Sequence, residues 1–353
     1  MKKICVTLFL VFFYHLTYAN LPYFPLDFPR DEAAHYKNIP YTFSQLIEWW
    51  YFNGKVTTDD GKHLSYDIAM FNPAIILGSS TITKPILHLQ IADLDNKKSY
   101  GTMTNYPFNG GTFSTDKLDI TTDNYFLYKT TSNGRDVYLL KAEGQNGEVS
   151  LKFNLVLEPT SQPFLINENG LMPMPNNTNS YYYSMPHFNT TGTIVLNNET
   201  YQISKNSSDS WMDHQWGDFN VQSYGWEWFS IRLENNLVAN IFLNIDYKNN
   251  SVVGGLANII LPSGEKRYIS YKDFKITRDN YWFDQKLSIN FPMTFNFSFP
   301  DLGLEITNSA AFPEQEIHGY WEGYCNIKAV YNKREVNGFS YAEIVYNSPT
   351  LLR

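Results

Sequence analysis

The run Trp211-Met212-Asp213-His214-Gln215-Trp216-Gly217-Asp218 places a carboxylate, an imidazole and two indoles within six residues, beside a glycine. In an extended chain, successive side chains point to opposite faces. Asp213 and Gln215 then share one face and His214 and Trp216 the other, so Asp213 joins the second pair only across a bend. Trp226 and Trp228 follow closely and can line the same space. Such a wall suits chemistry on an extended apolar molecule. A carboxylic acid kept neutral by apolar surroundings can protonate a carbon–carbon double bond. Indole faces stabilise the resulting cation, by about 2 kcal/mol or more once desolvated. A histidine can orient or deprotonate the attacking water. The same residues also suit architecture, with a buried Asp bonded at a turn and Trp plugging a barrel end.

Other candidates are thinner. Glu48 with Trp49 and Trp50 reads as a barrel-closing strand, or as a second polar feature at a barrel mouth. His35, His88, His187 and His318 lack a ligand spacing such as His-Glu-x-x-His, so no metal site is expected. Glu322 reads as a charge paired across a barrel seam. There is no phosphate-cradling Gly-x-Gly-x-x-Gly and no Gly-x-Ser-x-Gly nucleophile elbow. No organic cofactor is implied.

The elements that must position these residues are strands. Alternation bounded by turn residues recurs after residue 20, and helical periodicity is nearly absent. Leu64–Met70 and Ile86–Ile91 read as strands, and Asn53-Gly54 reads as a turn. Asn146-Gly147 and Asn197-Asn198 suit tight hairpins because they tolerate positive φ. The Pro- and Gly-rich stretch 158–175 reads as an interdomain connector. Glu48-Trp49-Trp50 and Trp226-Glu227-Trp228 echo one another across two nearly equal halves. Many short antiparallel strands imply a sandwich or barrel.

The whole chain agrees. Its 353 residues are 43% apolar, 17% aromatic and only 18% charged, which excludes disorder and coiled coil. A net charge of -8 argues against nucleic acid or an anionic membrane as partner. Lys2 and Lys3 before the apolar run Ile4–Phe13, with Thr17-Tyr18-Ala19 following, read as an export signal cleaved after Ala19. Cleavage leaves Cys325 as the only cysteine, hence no intrachain disulfide. A bacterial periplasmic or secreted protein without a stable membrane anchor is expected.

Several landmarks occur in an order that resembles one family. They are Asp31-Glu32-Ala33-Ala34-His35; Glu48-Trp49-Trp50-Tyr51-Phe52-Asn53-Gly54; Tyr182-Tyr183-Ser184 with Gly192-Thr193; Trp211 to Gly217; and Tyr320-Trp321-Glu322-Gly323 with Gly338 to Glu343. The chain resembles the carotenoid 1,2-hydratase (hydroxyneurosporene synthase) and AttH-like family, often described as predicted secreted hydrolases. The resemblance implies two tandem lipocalin-like antiparallel β-barrels, residues 20–175 and 176–353. It also implies cofactor-free addition of water to a double bond of an isoprenoid. The family's Asp-His-x-Trp motif falls on Asp213, His214 and Trp216, and a further acidic position matches Asp246 loosely. Trp211, Trp226, Trp228, Glu48, Trp50 and Asp246 are the expected substrate-binding set. Three functions fit: an acid catalyst on an apolar unsaturated molecule, a carrier of lipid or isoprenoid with the same cavity, or, third, a surface attachment factor acting through an exposed aromatic patch.

Overall fold

Strands account for most of the described chain and helix for very little, as the alternating pattern predicts. A computed structural model describes residues 23–37, 39, 43–78, 80–204, 207–219, 221, 223–317 and 319–346. The expected export signal lies outside these described residues. Among them, no helix is long and apolar enough to cross a membrane.

The strands form two curled antiparallel sheets, one of sixteen strands ending at Gly217 and one of ten starting at Gly225. This is an all-β fold of two lipocalin-like barrel domains. Eight strands position the groups of interest. In the first sheet they are β1 (Gln45–Thr57), β2 (His63–Phe71), β3 (Thr178–Leu196) and β4 (Asp209–Gly217). In the second they are β5 (Gly225–Leu233), β6 (Val238–Ile245), β7 (Tyr320–Tyr331) and β8 (Arg334–Val345). β4 lies between β1 and β3, and β5 between β6 and β8.

Each sheet curls around its own apolar core. Trp50, Phe52, Ile68, Leu89, Leu140 and Trp216 belong to the first, and Phe229, Ile231, Phe295, Phe297 and Trp321 to the second. Burying one such side chain contributes about 1.5–3 kcal/mol, so the cores can hold the fold without a disulfide. Cys325 is buried in the second core as a free thiol, and burial pushes its pKa up to about 12.

Two expectations change. The stretch 158–175 is not the connection between the sheets. Its Phe164–Leu165 and Leu171–Met174 segments fold back to pair with β3, so the prolines and glycines mark turns within one sheet. The chain changes sheets between Gly217 and Gly225, which puts β3 and β4 in the first barrel instead of the second. Asn53-Gly54 is likewise no turn but lies inside β1. Gly54 is there because a Cβ would come within 2.6 Å of both Ser210 Oγ and Tyr66 Cε1. The turn falls later, at Thr58–Lys62, with Gly61 at φ 85°. The Asn146-Gly147 and Asn197-Asn198 hairpins form as expected, pairing Asn146 with Val149 and Leu196 with Glu199.

Candidate active site

β1 and β4 pair in register, Glu48 opposite Trp216, Trp50 opposite His214 and Tyr51 opposite Asp213. Side-chain alternation therefore gives this ribbon two functional faces. Even-numbered residues enter the first barrel. Odd-numbered ones meet the second sheet, where Tyr51, Tyr182, Trp211, Trp228, Phe242 and Tyr341 form a separate buried cluster.

Asp213 lies on the face between the sheets, 3% exposed. Tyr182 Oη donates to its Oδ2 at 2.5 Å, and Ser184 Oγ and Trp211 Nε1 donate to its Oδ1 at 2.5 and 2.7 Å. β3 supplies the two hydroxyls because Ser184 pairs directly with Asp213. From the second sheet, Trp228 Nε1 and Asn240 Nδ2 donate to Tyr182 Oη at 2.9 and 2.7 Å. Burial pushes the Asp213 carboxyl up to about 7, against the pull of Ser184, Tyr182 and Trp211. All three hydrogen bonds come from neutral side chains, and none from backbone.

A cleft lies beside this carboxyl between the sheets. Its walls are largely apolar: Ile47, Trp49, Ala69, Phe71 and Ile86 on one side, Trp226, Trp228 and Phe242 on the other. Glu322 of β7 and Glu343 of β8 also border it. These two pair directly across strands, so Glu322 faces a like charge instead of the expected seam partner. Asp67 of β2 approaches from the opposite sheet. Burial, and then the neighbouring Asp67 charge, raise Glu322 well above the usual carboxylate range. Burial and Glu343 do the same to Asp67. Among the described residues, Asp67 Oδ2 and Glu322 Oε1 have no hydrogen-bond partner, which suits carboxyls that keep their own protons.

The expected trio does not converge. No bend brings Asp213 round to His214 and Trp216, because β4 runs straight through the motif. His214 and Trp216 are fully buried in the first barrel, together with Glu48 and Trp50. The Trp50 ring stacks on His214 at 4.6 Å, and its Nε1 donates to the Glu32 carbonyl. Glu48 borders the cleft too, but its carboxylate turns inward to His35 and His214. Burial favours the uncharged form of Glu48, yet the His214 and His35 rings against it hold it below the usual range. Burial also lowers His214. Trp211, Trp226 and Trp228 do reach the space between the sheets. Asp246 does not: it caps the turn after β6, accepting the Lys248 amide through its side chain and the Asn249 and Asn250 amides through its carbonyl.

Sequence reasoning missed Tyr182, Ser184 and Asn240 as the cradle of Asp213, Glu343 as a carboxyl of the cleft, and Asp67 as the buried acid beside Glu322. Only the alternation of Tyr182 and Ser184 pointed to a shared face. Pairing them with β4 needs a register that spacing along the chain does not contain.

Comparison with known proteins places the fold. A putative AttH from Nitrosomonas europaea is 22% identical, with 92% of this chain and 98% of that one covered and a TM-score of 0.75. Kievitone hydratase from Nectria haematococca is 15% identical, with 85% and 89% covered and a TM-score of 0.69. CghA bound to Sch210972 is 9% identical, with 86% and 89% covered and a TM-score of 0.51. No curated protein matches the sequence. At these identities the solved structures speak for the fold alone. The sequence model of the AttH-like family matches residues 20–345. Nearly the full length of the strands described above falls within that match, and the chain belongs to the AttH-like family.

Proposed function

We propose that this protein is a cofactor-independent acid catalyst, of the hydratase or isomerase kind, for an apolar unsaturated small molecule held between the two barrels. One observation carries the reading: the buried Asp213 carboxyl lies at an apolar cleft with only neutral side-chain donors around it. A carboxyl poised near neutrality can deliver a proton and take one back. In hydration, Asp213 gives its proton to one alkene carbon and the π pair forms the new C–H bond. Water then bonds to the cationic neighbour, and its surplus proton returns to the Asp213 carboxylate. Trp226 and Trp228 supply indole faces for the cation. In this reading His214 and Trp216 are architectural, because they open onto the other face of β4. One solved structure of this fold is a hydratase, so the fold can host this reaction class.

The test is native mass spectrometry with extraction of bound lipid, on wild type and Asp213→Asn purified from the native host. Wild type is expected to hold a product heavier than its precursor by one water, or an isomer of it. Asp213→Asn should hold the precursor unchanged. The same unmodified ligand in both would make the cleft a carrier's. The Lys2–Ala19 pattern supports export to the periplasm or beyond, and the mass of the mature chain checks cleavage after Ala19.

A further inference from the structure

The first barrel holds a second polar constellation that the proposed reaction does not use. His35 lies just before β1, Glu48 on β1 and His214 on β4, and all three are buried. Glu48 Oε1 is 2.7 Å from His35 Nδ1 and 3.1 Å from His214 Nε2. One ligand atom from each residue lies within 4.8 Å of the other two.

Hydrogen-bond accounting leaves a gap at the centre of this group. His214 Nδ1 faces the Asp31 carbonyl at 3.1 Å, and a carbonyl can only accept, so Nδ1 carries the hydrogen. In the neutral ring, Nε2 then presents a lone pair to Glu48 Oε1. That oxygen already receives the His35 amide at 3.2 Å and the His35 ring. Two electron pairs so placed repel one another unless a proton or a metal cation lies between them. The outer nitrogens show how the rings are oriented. His35 Nε2 points to Asp31 Oδ1 at 3.4 Å, and Arg30 and the Asp27 amide fix that carboxylate in turn. Imidazoles that bind a metal through one nitrogen hydrogen-bond a carboxylate or carbonyl through the other, and both rings do so here. Trp216 stacks on His35 at 4.0 Å and 5°, which removes ring rotation.

We propose that His35, Glu48 and His214 form a binding site for one divalent first-row transition ion of the zinc class. Two imidazoles and one carboxylate match that class, and Glu48 Oε2 or a water completes the shell. The separations of 2.7 and 3.1 Å must widen, and the third, within 4.8 Å, must settle, toward the about 3.3 Å edge of a tetrahedron with about 2.0 Å bonds. The ion would clamp the segment before β1 to both strands of the ribbon. Its role is structural, so the readout is metal content and stability, independent of any turnover.

The experiment uses untagged full chain, chelator-treated and then given Zn2+ or Co2+ alone. One equivalent per chain by native mass spectrometry is expected, with a rise in Tm of several degrees and a tetrahedral cobalt spectrum. His35→Gln and Glu48→Gln should each weaken binding at least tenfold. Less than about 0.1 equivalent on wild type in excess ion, or undiminished binding by both variants, would overturn the site. If a variant does not fold, X-ray absorption of zinc-loaded wild type decides. A shell with two imidazole nitrogens supports the proposal, and one of sulfur or of oxygen alone refutes it.

Discussion

Tyr182 is the residue through which the two sheets share one carboxyl. Its hydroxyl donates to Asp213 and accepts from Trp228 and Asn240, on the opposite sheet. Tyr182→Phe keeps the ring but strands two buried donors, and should cost about 1–3 kcal/mol by urea unfolding. Tyr125→Phe is the control. The Tyr125 hydroxyl is buried with no partner, so its removal should be neutral or stabilising. At this scale the sequence was legible in part. The weight on Asp213 rested on its residue type and its neighbours, and the structure puts it at the cleft. His214 and Trp216 stood beside it in the chain and parted from it in space, because strand alternation separates nearest neighbours. The His35–Glu48–His214 group was hidden for the opposite reason. Its members are far apart in sequence: pairing of β1 with β4 brings Glu48 near His214, and the segment before β1 adds His35.

At the scale of elements, β3 is the longest strand and serves several partners. It pairs with β4 along Ser180–Phe188 and with the Val149–Pro159 strand along Phe188–Leu196. Gly192 makes this possible at φ 120°, where a Cβ would lie 2.0 Å from the Asn154 carbonyl oxygen. Gly192→Ala should therefore destabilise by about 1–3 kcal/mol, read as a lower urea midpoint at unchanged m-value. Strand type and hairpin position could be read ahead of the structure because alternation and Asn-rich turns are local. Sheet membership could not. Proline and glycine in 158–175 signal a break in strand, but whether the chain then leaves the sheet depends on the partner it finds, and here that partner is β3.

Across the whole molecule, the two barrels meet through a layer that includes carboxyls from both. Asp67 and Glu322 approach from opposite sheets, and each has its pKa raised, by burial first and then by neighbouring acidic charge. The folded state thus holds these protons more tightly than the unfolded chain does. Stability from this pair is full below the ordinary carboxylate range near 4 and is lost as pH rises toward the raised folded values. Tm should fall on going from pH 5 to pH 9, and Asp67→Asn should flatten that slope. A Tm that rises over this interval in wild type, or a slope unchanged in the variant, would count against a proton-holding interface. The ribbon of β1 and β4 has a different consequence, for how the family can diversify. Positions 213 and 215 line the cleft and 211 packs between the sheets, while 212, 214 and 216 answer to the barrel behind. As relatives take up new small molecules, substitutions in this heptapeptide should gather at every second letter, leaving the letters between them fixed.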